Sequence, residues 1–375
     1  MYLQCIFLTL LPCGIPLAGG LRYGAVGPSP GKQRAMAQHL EVDEALGGRT
    51  MKRRAVAAWL AGAALPIRAQ GVPSGTALPR IAWVSGARPD ARAPFLGALR
   101  QGLAEVGRVE GRDFRLDAWW GDDSMERFDA IVAEMLRSRP DLIVTQGPII
   151  LAVQRSKTPL PVVFAYSGDP VEAGLVGSLP RPGRNLTGIS MMSLELVGKR
   201  MQALAEAIPG LRRLALITNP GHAGERRELA ASQAAASPLG LEVEYLPFRG
   251  DAGLDGALQG ALRARCEGIV VFPDGGMMLR SERFAAFALE QRMPATSGWA
   301  EFARRGNLMS YGPNLQQVFR RLGWYVDRVL KGTNPSELPV ELPITIEHVV
   351  NLRAARAMGL VIPRSVLLGA DEVIE

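Results

Sequence analysis

Short apolar runs alternate with helical stretches along most of the chain. The runs expected to form strands are 80–85, 114–120, 141–145 and 162–166, then 214–220, 241–246, 268–274 and 295–297. Apolar residues between them recur at helical spacing, as in 93–107 and 194–208. Strands and helices that alternate with short turns predict α/β architecture, with parallel sheets covered by helices on both faces.

The stretch 162–188 organises this pattern. Its apolar start, Val162 to Tyr166, is typical of a strand buried in a parallel sheet, and it ends in the polar turn Ser167-Gly168-Asp169-Pro170. The following 179–183, Leu-Pro-Arg-Pro-Gly, cannot continue a helix. We expect the chain to leave one lobe for another near Gly188.

The same alternation restarts after Gly188, which predicts two doubly wound parallel-sheet lobes with a cleft between them. We assign 80–188 plus 308–332 to lobe 1 and 189–307 plus 340–375 to lobe 2. The strand 308–312 is expected to return to lobe 1. The hinge would then consist of three crossings, near Gly188, near Leu308 and at 333–340.

Residues 51–69 have the three parts of an export signal. Basic Lys52-Arg53-Arg54 precedes a moderately apolar run that is too short to span a membrane, and small residues lie before Gln70. The pair Arg53-Arg54 permits twin-arginine export, and Sec export is equally compatible. We expect translation to start at Met51, with 1–50 an extension outside the mature protein; a lipid-attachment role for Cys13 is the alternative.

Charge and cysteine content argue against a nucleic-acid-binding protein and against a fold held by disulfides. The net charge is +7, but residues 1–69 carry eight basic and three acidic residues, which leaves 35 basic and 33 acidic residues from 70 onward. A nearly neutral body argues against binding to nucleic acid. Cys266 is the sole cysteine of 70–375, so this part has no intrachain disulfide, and we expect Cys266 to be a buried packing residue.

Enzymatic motifs are absent from residues 70–375, the expected mature chain. No Gly-x-Ser-x-Gly elbow occurs there, and the first turn, 85–89, lacks the glycine spacing of a dinucleotide site. We interpret His222 as an exposed loop residue and His348 as a packing or edge residue of the expected final strand, 343–352. No Cys/His cluster offers a metal site, and we expect neither a cofactor nor a metal.

Polar residues at strand ends are the candidate ligand-binding groups, because ligands of open parallel sheets lie at the carboxyl edge. The predicted contacts are Ser85, Thr145, Gln146, Ser167 and Asp169 from lobe 1, with Asn219, Asp274 and Trp299 from lobe 2. Asp169 and Asp274 have a capping alternative, Asn219-Pro220 a turn alternative, and Trp299 a packing alternative.

The stretch 169–188 also resembles a known family. Its Asp169-Pro170-Val171, Gly174-Leu175-Val176, Arg181-Pro182-Gly183 and Thr187-Gly188 are similar to the signature of bacterial ABC-transporter substrate-binding proteins, the group with tryptophan- and tyrosine-binding members. Further similar motifs follow in the carboxyl half, among them 310–312, 338–340, 350–352, 357–360 and 370–374. The resemblance covers about 80–375.

The resemblance implies a periplasmic binding protein of type I fold that holds a small, amino-acid-like ligand between its lobes. It implies an inner-membrane ABC permease as the partner, and we expect a monomer without enzymatic activity. Two alternatives stay open: a periplasmic sensor that reports ligand to a membrane kinase, and an enzyme on the same fold.

Overall fold

The computed structural model describes residues 77–192 and 194–375. The predictions for 1–50 and for the export signal at 51–69 lie outside the described residues. The remaining chain forms two α/β lobes, as the alternating pattern predicts.

Lobe 1 contains a five-stranded sheet in the order β2-β1-β3-β4-β5, with every pairing parallel. Its strands are β1 (Arg80–Ser85), β2 (Arg115–Trp120), β3 (Leu142–Gln146), β4 (Val162–Tyr166) and β5 (Leu186–Ser190). Its first helices are α1 (Pro89–Glu105), α2 (Phe128–Arg137) and α3 (Ile150–Arg155). All residues of β3, β4 and β5 are buried, as expected for strands covered on both faces.

Lobe 2 contains a seven-stranded sheet in the order β12-β11-β10-β9-β8-β6-β7. Its strands are β6 (Arg213–Thr218), β7 (Glu242–Pro247), β8 (Gly268–Val271), β9 (Ala295–Ser297), β10 (Met309–Pro313), β11 (Ile346–Asn351) and β12 (Glu372–Ile374). Its helices are α4 (Glu195–Ala207), α5 (Glu225–Ala236), α6 (Gly250–Arg263), α7 (Gly275–Leu279), α8 (Ser281–Gln291) and α9 (Ala300–Arg304); after the lobe 1 helix α10 (Leu315–Leu330) come α11 (Leu352–Met358) and α12 (Arg364–Leu368). The β10–β11 pair is antiparallel and the other pairs are parallel.

The position of β10 corrects one prediction. The strand expected to return to lobe 1 instead pairs with β9 in parallel and with β11 antiparallel, so it belongs to lobe 2. Only the helix that follows, α10, returns to lobe 1. Sheet membership depends on pairing with residues far along the chain, such as Met309 opposite Thr296, and the local pattern carries no information about that.

The chain therefore crosses between lobes at positions slightly different from those expected. β5 still belongs to lobe 1, so the first crossing follows Ser190 rather than Gly188. The second lies at Asn314, between β10 and α10. The third follows Glu341, which is bridged to Ile189 of β5, and precedes β11. The three-crossing hinge was predicted, with its crossings a few residues away.

Close packing of α10 against α1 joins the returning helix to lobe 1. The Phe319 ring stacks on Phe95 at 4.7 Å and lies 5.7 Å from Trp83 of β1. A Cβ on Gly102 would overlap the backbone oxygen of Arg320, so only glycine permits this helix separation. An ion pair at 2.8 Å between Arg108 and buried Asp327 closes one end of the contact.

Two residues outside the cleft are placed as the sequence predicts. Cys266 is buried and unpaired, and burial raises the pKa of its thiol to about 11. His348 is buried in β11 with its ring 5.6 Å from that of Tyr311. Within 77–192 and 194–375, none of the helices has both the length and the apolar character needed to cross a bilayer.

Candidate functional site

The lobes meet where the strands of each sheet end. Beyond β4, the Ser167 hydroxyl lies 3.0 Å from Nε2 of His222, which belongs to the loop beyond β6. The backbone N–H of Asp169 donates to the Ala223 carbonyl at 3.0 Å. The register aligns the ends of β1, β3 and β4, so their following turns share one edge facing lobe 2.

Gly224 allows this close approach. It has φ +87°, in the left-handed region, and a Cβ there would lie 2.6 Å from the Met192 sulfur and 3.2 Å from Asp169 Cβ. A larger residue would meet both the strained backbone and the opposing lobe. Glycine at this position thus lets the two loops pack directly.

Asp169 has structural partners on both sides of the boundary. Its Oδ1 accepts hydrogen bonds from the backbone N–H groups of Val171 at 2.8 Å and Glu172 at 3.1 Å. Its Oδ2 forms an ion pair with Arg227 of α5. The capping alternative is present in modified form, because the residues that follow form turns rather than a helix.

Cavities follow the lobe boundary and share lining residues. One of about 500 Å³ is lined from both lobes by residues that include Asp169, Ser190, Met192 and Arg227. Through Met192 and Leu194 it adjoins a cavity of about 10 Å³ at Arg200 and Glu228. Ser167 and Met191 connect that cavity to another of about 10 Å³ at Gln146 and Trp299. A final cavity of about 90 Å³ lies at the opposite mouth, between Pro148 and Gly275.

The two inner cavities are small in this conformation. About 10 Å³ is the lower limit for one water molecule and far below the size of an amino acid. Two flexible methionines, Met191 and Met192, line the cavity at Arg200. A separate groove of about 390 Å³ lies over the hinge between α10 and 341–345, outside the cleft.

Arg200 and Glu228 form a buried ion pair at 3.2 Å that the sequence analysis missed. Their side chains are 3% and 7% exposed. Burial raises the pKa of Glu228 to about 7, against the attraction of Arg200, and burial also lowers the pKa of Arg200. Charged residues are seldom fully buried without a role in binding, catalysis or a structural network.

A sequence signal for this pair exists in the helical spacing. Arg200 lies four residues from both Leu196 and Leu204, on the apolar stripe of α4. In α5 the buried face, whose residues recur every three or four positions, carries the polar residues Glu225, Glu228 and Ser232. A charge at a core position of a helix pattern is the feature that identifies them.

Four of the eight predicted contacts line the cavities: Gln146, Ser167, Asp169 and Trp299. Trp299 is 3% exposed, and its indole N–H is buried with no hydrogen-bond partner among the described residues. The Gln146 amide donates to Ser85 Oγ at 2.6 Å. Trp299, Gln146 and Ser167 therefore bring polar groups to a cavity whose apolar lining includes Leu315 and Phe319.

The other four predicted residues have internal partners or lie off the cleft. Ser85 accepts a hydrogen bond from Gln146, and Thr145 is buried in β3 with no partner for its hydroxyl among the described residues. Asp274 caps α7 by accepting from Met277 N–H at 2.9 Å, and its other oxygen accepts from Asn219 at 3.0 Å. Asp274 thus has the capping role given as its alternative, and Asn219 has the turn role, because its Oδ1 accepts from the Gly221 N–H at 3.0 Å. Whether any of the eight contacts a ligand stays a prediction.

His222 differs from its sequence interpretation. It is half-buried rather than exposed, bonds Ser167, and packs its ring 6.0 Å from that of Tyr166. A glycine-rich loop gave no sign that the opposing lobe would cover it.

Comparison with known proteins assigns the chain to a class. The family described as ABC transporter substrate binding protein matches residues 82–374. The chain therefore belongs to this family of substrate-binding proteins, as the motifs at 169–188 indicate.

Individual relatives are distant in sequence. A tyrosine-binding protein of Clostridioides difficile is 21% identical over 273 residues, covering 71% of this chain and 78% of that protein. A conserved domain protein from Vibrio cholerae has a TM-score of 0.72 at 24% identity, covering 79% of this chain and all of the other. An ABC domain from Streptococcus pneumonia in complex with L-Trp has a TM-score of 0.72 at 21% identity, covering 80% and 100%. These structures share the type I periplasmic-binding fold.

Proposed function

We propose that this protein is an exported solute-binding protein that captures a small, amino-acid-like ligand between its lobes and delivers it to an ABC permease. The observation that carries the proposal is the fully buried Arg200–Glu228 pair on a cavity between the lobes, within a family of substrate-binding proteins. The relatives that bind tyrosine and L-Trp support an amino acid as the ligand.

Ligand capture would proceed by hinge motion. The inner cavities are too small for an amino acid, so the lobes separate to admit one and then close over it. Charge-assisted hydrogen bonds, each contributing about 1.5–3 kcal/mol, together with apolar contacts account for roughly −8 kcal/mol, or micromolar affinity. The closed, ligand-loaded monomer in the periplasm is the form that the permease recognises.

Binding is tested on the full chain purified without denaturation. Native mass spectrometry is used to look for a co-purified small molecule, and a thermal-shift screen covers amino acids and small carboxylates. Stabilisation of several degrees by one compound, recovered chemically intact, supports a binding protein. Turnover of that compound would favour an enzyme instead.

Delivery to a permease needs a separate test in cells. Uptake of the radiolabelled ligand is compared in cells that lack the gene, with and without a plasmid copy. Restored uptake supports transport. Unchanged uptake together with ligand-dependent activation of a membrane kinase would replace transport by sensing.

A further inference from the structure

We propose that Arg200 binds the carboxylate of a zwitterionic α-amino acid, that Glu228 binds its ammonium group, and that the cavity at Trp299 receives an apolar side chain. This inference rests on the proposed function and specifies the ligand of the same cleft. Both residues keep hydrogen-bonding groups that no described residue uses.

Arg200 has donors to spare. Its Nε donates to the Tyr311 carbonyl at 3.2 Å, and its Nη1 donates to Glu228 Oε1 at 3.2 Å. Among the described residues, Nη2 has no partner. A guanidinium carries five N–H donors in a planar fork that matches a carboxylate, so a ligand carboxylate would use the donors left over.

The surroundings direct these donors toward the lobe boundary. Gly298 packs against the guanidinium so closely that a Cβ there would lie 2.8 Å from Nη2. The Arg200 side chain is 3% exposed, and the space it borders is the small cavity shared with Ser167 of lobe 1. An anion reaching Arg200 must therefore enter between the lobes.

Glu228 requires a positively charged group on the ligand, in addition to the carboxylate that Arg200 would bind. Its Oε1 accepts from Arg200, whereas Oε2 has no partner within the described part of the chain. A carboxylate ligand alone would leave the pair with one net buried negative charge, which is costly. An ammonium group on the same ligand restores neutrality and uses Oε2, so a zwitterion fits better than a simple acid.

The adjoining cavity determines the ligand's side chain. It shares Ser167 and Met191 with the cavity at Arg200, so one small molecule would extend through both once a movement of the lobes has enlarged them. Trp299, Leu315 and Phe319 supply apolar surface there. The unpartnered indole N–H of Trp299 would donate to an acceptor on the side chain, where the ligand carries one.

Calorimetry on the full wild-type chain provides the first test. The panel pairs apolar and aromatic L-amino acids with their carboxamides and with the matching acids that lack the amino group. The amino acids are expected to bind, and both analogues to bind about a hundredfold more weakly or worse, because each leaves one buried charge unpaired. Equal binding of an amino acid and its carboxamide would overturn the assignment of Arg200 while leaving the proposed function intact.

Variants provide the second test. Arg200→Met should weaken amino-acid binding about a hundredfold and remove the preference over the carboxamide, with Arg200→Lys recovering part of both. Arg213→Met is the matched control, because Arg213 also pairs with a glutamate, Glu242, but lies at the amino end of β6, opposite the end that leads to the cleft. Unchanged affinity in Arg200→Met refutes the assignment. If that variant fails to fold, the comparison of each amino acid with its carboxamide on the wild-type chain decides.

The two levels of proposal fail differently. If no panel compound binds the wild-type chain, the amino-acid ligand is wrong, and the assignment of Arg200 and Glu228 fails with it. Suppose that an amino acid binds the wild-type chain. If Arg200→Met then binds it as tightly as the wild type does, and its carboxamide binds the wild type as tightly as the amino acid itself, only the assignment of Arg200 and Glu228 fails.

Discussion

The Ser167 hydroxyl of lobe 1 lies 3.0 Å from Nε2 of His222 in lobe 2. This is a direct hydrogen bond across the cleft, supported by the contact of the Tyr166 and His222 rings. The described conformation is therefore closed by side chains of the protein itself. Separation of the lobes must break these contacts. Their strength can therefore be measured from the fraction of molecules in the open conformation.

We predict that Ser167→Ala and His222→Phe both increase the open fraction and that their effects are not additive. One hydrogen bond contributes about 0.5–1.5 kcal/mol, so the double variant should differ from the sum of the singles by about that amount. Interlobe distances between spin labels provide the populations. Strict additivity would show that the two side chains do not interact in solution.

The ion pair of Asp169 with Arg227 should contribute less, and in a salt-dependent manner. Arg227 is 56% exposed, and exposed pairs contribute about 0.2–1 kcal/mol. Arg227→Met should therefore open the lobes slightly at low salt and have little effect at about 1 M, where the Debye length is about 3 Å. Arg226→Met, on the adjacent exposed position of α5, serves as the control and should leave the open fraction unchanged.

Gly102 offers a sharp test of how α10 is joined to lobe 1. Gly102→Ala places a methyl group into the backbone of Arg320 and should destabilise the protein by about 3 kcal/mol or more in denaturant unfolding. Gly97→Ala is the control in the same helix, because a Cβ there meets nothing within 4 Å. It should stabilise by about 0.5–1 kcal/mol through helix propensity. A mild effect at Gly102 would contradict the close helix packing.

Stability should fall as pH rises toward neutrality because of Glu347. Burial raises the pKa of Glu347 to about 7, and repulsion from Glu301 adds to this, although Arg304 and a 2.7 Å hydrogen bond from Asn314 oppose it. The folded state thus retains a proton that the unfolded chain releases near pH 4.5. The resulting loss of stability is spread between about pH 4.5 and 7.

Glu347→Gln keeps an acceptor for Asn314 but removes the titration, so this variant should have a flatter profile of unfolding free energy against pH. Because Glu347 is only partly buried, we expect about 1–2 kcal/mol rather than the full shift. Glu228, whose pKa burial also raises to about 7, accounts for part of the remaining slope. Exposed Glu290→Gln is the control. If Glu347→Gln keeps the wild-type slope of unfolding free energy against pH, the prediction is refuted.

Local pattern was sufficient for most elements. The run Val162–Tyr166 is apolar throughout, and Leu142–Gln146 begins with three apolar residues; both are buried strands of a parallel sheet. It failed for β10, where Met309–Pro313 suits either lobe and only pairing with Thr296 and Val350 decides. Long-range pairing leaves no trace in a five-residue window.

The site was less accessible from sequence for a different physical reason. Strand ends such as Ser167 are located by the rule that ligands lie at the carboxyl edge of parallel sheets. Arg200 and Glu228 lie within helices, and their importance becomes visible only once the helices pack and the charges lose their water. Similarly, the partner of His222 comes from a turn that lies 55 residues away in the chain.

The return of α10 to lobe 1 determines when that lobe can be completed during synthesis. Phe319 covers Trp83 and stacks on Phe95, so the aromatic core of the first lobe lacks its cover until the chain has been made past Leu330. By then β6 to β10 of lobe 2 have already been synthesised. Neither lobe is a continuous segment, and we expect the two to acquire their final packing together and late rather than one after the other.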